Sequence, residues 1–128
     1  MLPPDFSVLE RTPQSARLAL VLAEDLPYFR GHFPARTLLP GVAQLDFAIA
    51  LCDAVFASGT AFTSISRVKF LRPMLPGDAL ILDLGYQGGP GRLDFVYYIA
   101  ARQGAAIDPP PGIMASRGRL TCVPQPAP

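Results

Sequence analysis

Histidine, cysteine, lysine and charge in general are scarce in this chain. It has one histidine and two cysteines, and charged side chains make up only 16% of its 128 residues. Two cysteines and one histidine fit no familiar zinc spacing, so no metal site is expected. Cys52 lies in an apolar helical pattern and Cys122 in a strand pattern, and both read as buried, reduced thiols. A net charge of +1 gives no bulk electrostatic reason to expect a nucleic-acid partner. The ten arginines against one lysine fit a GC-rich genome as readily as a selected trait. No run of about eighteen uncharged apolar residues occurs, because Asp46 and Asp53 interrupt the best candidate. The N-terminus also lacks the basic region and apolar run of a signal peptide. These absences lead to the expectation of a cytoplasmic protein that does not cross or bind a membrane.

Apolar residues, by contrast, are plentiful. They make up 50% of the chain, enough for a core in the single domain expected over residues 1–128. So little charge also suggests that some apolar surface is covered by another subunit. Residues 1–13, with Pro3, Pro4 and Pro13, read as a loose lead-in holding at most a short strand or turn. Ser15–Ala23 reads as a strand, and a proline-punctuated loop runs on to Pro40. From Pro40 to about Ala57 the pattern is apolar nearly all round, which marks a buried helix with Ser58-Gly59 at its end. Beyond it, residues 62–75, 79–86, 92–102 and 114–123 alternate as strands, joined by turns rich in proline and glycine. Arg72-Pro73 predicts an irregularity or an edge position in the first of these. Residues 124–128 read as a disordered tail. One long helix followed by antiparallel strands is an α+β arrangement, with the sheet curled around the helix.

Chemistry concentrates between Phe29 and Asp46. His32, the one side chain suited to moving a proton near neutral pH, sits in a loop stiffened by Gly31 and Phe33-Pro34. The first amides of the helix have no intrahelical partner. Pro40 removes one, and Leu39 at the expected cap has no side-chain oxygen to satisfy the rest. The Gly41 and Val42 amides are therefore candidates to polarise a carbonyl oxygen; Thr37 or water is the alternative partner. Asp46 lies among apolar neighbours on this helix, where burial would favour its protonated form. Pairing with Arg67 or Arg72 is the structural alternative, and Asp53 competes for any acid role. One histidine, one acid and a pair of amides suit proton removal beside a carbonyl with protonation of a leaving group.

The run Gly31-His32-Phe33-Pro34, then Leu39-Pro40-Gly41-Val42, then an acid four residues after Val42 resembles the signature of the 3-hydroxyacyl-[acyl-carrier-protein] dehydratases. Arg67-Val68-Lys69-Phe70-Leu71-Arg72-Pro73-Met74-Leu75-Pro76-Gly77-Asp78 resembles the same family's strand and turn after the helix. The likeness extends from about Ser15 to Val123 and is nearest to small stand-alone dehydratases of pathways such as aryl-polyene synthesis. It implies a hotdog fold, a lyase without cofactor, an acyl-carrier protein as substrate carrier and a homodimer or larger homo-oligomer. It also implies that His32 removes the C2 proton, Asp46 protonates the departing hydroxyl and the Gly41 or Val42 amide holds the thioester oxygen. Phe33, Pro40, Phe47 and Phe70 would line the acyl tunnel, and Arg30, Arg36 and Arg72 would face the acidic carrier. Two departures stand out. Asp46 replaces the glutamate of the general-chain-length enzymes, as in the related dehydratase–isomerase, and Thr37 replaces a usual proline. A thioesterase of the same fold and a non-catalytic acyl-binding subunit are the competing readings.

Overall fold

The computed structural model describes residues 3–29 and 38–122. Seven antiparallel strands and one helix form in the order β1 (Phe6–Arg11), β2 (Ser15–Val21), α1 (Gly41–Phe56), β3 (Ser64–Phe70), β4 (Ala79–Gln87), β5 (Arg92–Arg102), β6 (Ala105–Ala106) and β7 (Ile113–Thr121). The strands lie in the order β1-β2-β4-β5-β7-β3, and the two-residue β6 pairs with the end of β5. β1 and β3 are the edges.

The strand sequences show why one face is the core. Leu80, Leu82 and Leu84 of β4 alternate inward, as do Leu93, Phe95, Tyr97 and Ile99 of β5, while Asp83 and Asp94 fall on the other face. α1 lies across the inner face and contributes Ala43, Phe47, Ala48, Leu51, Cys52 and Val55 to the core, a helical spacing of three and four. On its opposite face Val42 is 68% exposed, and Asp46, Asp53 and Ala54 are exposed too. A single helix against a curled antiparallel sheet is the hotdog fold, as expected.

The lead-in holds the short strand expected there: β1 pairs with β2 from Phe6↔Leu20 to Arg11↔Ala16 with one irregularity between Val8 and Glu10. Several local expectations change. The strand expected over 62–75 stops at Phe70, since Pro73 and Pro76 have no amide to donate to a ladder. Its pairing with β7 also shifts between Ser66 and Lys69, where Arg67 takes a left-handed φ of 56°. The helix is capped by Pro40 (φ −61°, ψ 151°) and not by Leu39, and it ends on Ala57 in the left-handed conformation. The short β6 has too few residues for any periodic signal. The tail over 124–128 lies outside the described residues.

The loop from Leu71 to Asp78 is held by a buried carboxylate. Asp78 is fully buried and accepts from the Leu75 amide at 2.8 Å and from Arg102 Nε and Nη2 at 2.9 Å each. Arg102 Nη2 also donates to Pro73 O at 3.2 Å. The loop in turn supports the approach to the helix, because Met74 O accepts the Leu39 amide at 2.8 Å.

Candidate active site

The start of α1 is built to leave its first amides open. Pro40 has no amide and offers no side-chain cap, and the first bond into the helix runs from the Gln44 amide to Pro40 O at 3.2 Å. Gly41 packs against the ring of Phe70 so closely that a Cβ there would lie 2.7 Å from Phe70 Cζ. Its backbone is helical, and a side chain there would have to displace the half-exposed Phe70 ring. Around it lies a shallow cavity of about 250 Å³ lined by Leu38, Gly41, Gln44, Phe70 and Arg72, among others. The helix dipole and the amides face this end, so an oxygen with developing negative charge would be stabilised here.

Gln44 is the residue that sequence reasoning passed over. It stands out in an apolar helix as one of few polar residues, but its spacing gives it no role. In the structure it is 4% exposed and fully engaged. Its Nε2 donates to Leu39 O at 3.2 Å, its Oε1 accepts from Ser116 Oγ at 2.7 Å, and its backbone oxygen accepts from Tyr97 Oη at 2.6 Å. Ser116 and Tyr97 are both fully buried, and desolvation pushes the Tyr97 hydroxyl well above the usual tyrosine range.

Asp46 is not the buried acid expected from its apolar neighbours. The sheet covers only one face of α1, and Asp46 lies on the other, one turn from Val42. Asp53 is removed as a competitor, because it closes the C-terminal end of the helix. Its Oδ1 accepts from the Gly59 amide at 2.8 Å and its backbone oxygen from the Ala57 amide at 2.8 Å. Phe47 packs in the core and does not line the cavity at the helix start, whereas Phe70 and Gly41 do. Of the three arginines expected to face a carrier, Arg72 is exposed at the cavity rim. Arg30, Arg36, His32, Phe33 and Thr37 lie outside the described residues.

Of the two thiols expected to be buried, Cys122 is only partly so. Cys52 is buried in the core, and desolvation pushes its thiol up to about 11, so it is a poor nucleophile. Among the described residues no group of histidine, cysteine and carboxylate side chains could hold a metal ion. Among those residues, too, no helix is long and apolar enough to cross a membrane. A cavity of about 750 Å³ along β1, β2 and β4 is lined by residues such as Phe6, Ala19, Val21 and Ile81 and by none of the expected site residues.

The ApeI-like family model, described as ApeI dehydratase, matches residues 9–107. The chain belongs to this dehydratase family. A 3-hydroxyacyl-[acyl-carrier-protein] dehydratase FabZ from Polynucleobacter asymbioticus is 32% identical over 124 residues, covering 90% of this chain and 77% of that one. The FabZ of Tolumonas auensis is 39% identical over 70 residues, which span 47% of this chain and 46% of that enzyme. Among solved structures, the dehydratase heterocomplex ApeI:P from Xenorhabdus doucetiae superposes with a TM-score of 0.78 at 31% identity, covering 94% of this chain and 97% of that one. An uncharacterised protein from Erwinia carotovora gives 0.74 at 35% identity, covering 94% of both chains. A hypothetical thioesterase from Streptococcus pneumoniae gives 0.61 at 10% identity, covering 91% of this chain and 87% of that one, a likeness of fold alone.

Proposed function

We propose that this ApeI-like dehydratase removes water from 3-hydroxyacyl thioesters carried on acyl-carrier protein, giving trans-2-enoyl thioesters in a fatty-acid or polyene type of synthesis. His32 takes the C2 proton, the C2 electrons form the double bond, and the 3-hydroxyl leaves as water with a proton from Asp46. The Gly41 or Val42 amide holds the thioester oxygen, whose negative charge grows as C2 loses its proton. Phe33, Pro40 and Phe70 flank the acyl chain. The reaction needs no cofactor. One observation carries this reading: the dehydratase family match spans the Gly31–Pro34 loop, the uncapped helix start and Asp46.

The exposed side of α1 supports a second copy of this chain as part of the site. Leu38, Val42, Phe70 and Leu71 are large apolar residues exposed around the helix start. Asp46 lies on the same side of the helix as Val42. A partner seated there would enclose Asp46 and exclude water from it. The partner could equally be a related subunit, since the Xenorhabdus protein is a heterocomplex; we favour the homodimer.

The test is turnover of a panel of 3-hydroxyacyl thioesters, on acyl-carrier protein and on coenzyme A, followed by ultraviolet absorbance of the conjugated product. His32→Ala and Asp46→Asn should each lower turnover by at least about 100-fold. Free thiol without enoyl product would instead identify a thioesterase. No reaction in either channel would identify a binding subunit. Sedimentation of the purified protein checks the homodimer.

A further inference from the structure

We propose that Gln44 is a positioning residue, setting the direction of the Gly41 amide that the reading above assigns to the thioester oxygen. The amide hydrogen of Gly41 belongs to the same planar peptide as Pro40 O, so fixing that oxygen fixes the amide. Pro40 O accepts the Gln44 amide at 3.2 Å. The preceding Leu39–Pro40 peptide is held through Leu39 O, which accepts Gln44 Nε2 at 3.2 Å, and the one before it through the Leu39 amide, which donates to Met74 O at 2.8 Å. Gln44 thus bonds two successive peptides ahead of the open amide, one through its backbone and one through its side chain.

The side-chain orientation is dictated by its partners. A carbonyl can only accept, so the group facing Leu39 O must be Nε2, which leaves Oε1 for the Ser116 hydroxyl at 2.7 Å. Tyr97 Oη holds the backbone oxygen of the same residue from β5. The helix start is therefore referenced to β5 and β7, two interior strands of the sheet. A leucine would fill this buried position without any polar group to satisfy. A fully paired glutamine buys a fixed geometry instead. Apolar packing resists sliding of the helix poorly, whereas the side-chain bond to Leu39 O and the backbone bond to Pro40 O oppose rotation of the two peptides that lead into the Gly41 amide. Preorganised donors lose much of their effect when free to turn away from the developing charge.

The variant Gln44→Met keeps the size and removes both side-chain bonds. It should lower kcat by about 10- to 100-fold and leave KM within about threefold, since one misdirected donor costs part of the effect of a missing one. Ser116→Ala, which breaks only one of the bonds, should lose less. The control is Leu18→Val in β2, a core change that lowers the melting temperature without touching the helix start. If Gln44→Met keeps kcat within twofold, or if its loss only tracks melting temperature along with Leu18→Val, the proposal is overturned. Amide hydrogen exchange at Leu39 and at residue 44, whose amides bond Met74 O and Pro40 O, tests the same point without substrate: Gln44→Met should speed it at least about tenfold, and unchanged exchange overturns it. A wild-type protein inactive on every thioester, with faster exchange in Gln44→Met, would refute the proposed reaction and leave the positioning role standing.

Discussion

The Asp78–Arg102 pair allows a stability prediction worked from geometry. Asp78 is fully buried and Arg102 reaches it from a side chain 36% exposed, with two bonds of 2.9 Å that make a bidentate contact. The hydrogen bond with Asp78 raises the Arg102 pKa, as a favourable pairing should. Arg102→Ala leaves a buried carboxylate with only the Leu75 amide as a named donor. Orphaning one partner of a buried pair costs about 3–5 kcal/mol. Because the guanidinium is partly exposed, water can reach the vacated side, and the expected cost here is about 2–3 kcal/mol. Asp78→Ala orphans the Leu75 amide instead and should cost about 2 kcal/mol. The double variant has no buried charge to strand, so it should cost about 2 kcal/mol less than the sum of the two. Urea unfolding at pH 7 with fitted m-values measures all three. A cost below about 1 kcal/mol for Arg102→Ala, or strict additivity in the double variant, would refute the argument that the carboxylate depends on its arginine.

Gly41→Ala should leave stability nearly unchanged. The gain of about 1 kcal/mol in helix propensity offsets displacement of the half-exposed Phe70 ring, but turnover should fall about tenfold as the ring shifts at the site. Cys52 contributes a pH dependence of known sign. Its thiol is raised from 9.0 to about 11 in the fold, so the folded state binds the proton more tightly. The associated stability is complete below pH 9 and is lost as pH rises to 11, about 2–3 kcal/mol in all. Chemical denaturation at steps from pH 8 to 11 should show that loss in the wild type and a shallower one in Cys52→Ala; parallel curves would refute it.

The helix, the alternating strands and the hotdog arrangement were legible because each rests on a repeating pattern. Phe47, Leu51 and Val55 recur at helical spacing, and Leu80, Leu82 and Leu84 at strand spacing. What stayed hidden depends on contacts between residues far apart in sequence. Nothing near Gln44 reveals that Ser116, 72 positions away, supplies its hydroxyl, or that Tyr97 closes the same network. The end of β3 was overrun for a related reason: apolar residues continue to Leu75, but two prolines and the buried Asp78 turn the backbone out of the ladder.

Asp46 shows how a correct pattern can lead to a wrong environment. An apolar helix with one acid reads as a buried acid if the helix is assumed to be surrounded. Among the described residues, however, there is one sheet, and it covers only one side of the helix. Either the other side stays exposed, or a second subunit completes the enclosure and changes the surroundings of Asp46. The arrangement of large exposed residues at the helix start favours the second, because Leu38, Val42, Phe70 and Leu71 would otherwise present an uncovered apolar rim. Association and catalysis would then be one requirement. Val42→Asp adds a charge to that face without altering a bond in the core. It should turn a dimer into monomers and abolish turnover in the same protein concentration range. Full activity in a monomeric Val42→Asp protein would show that one chain suffices.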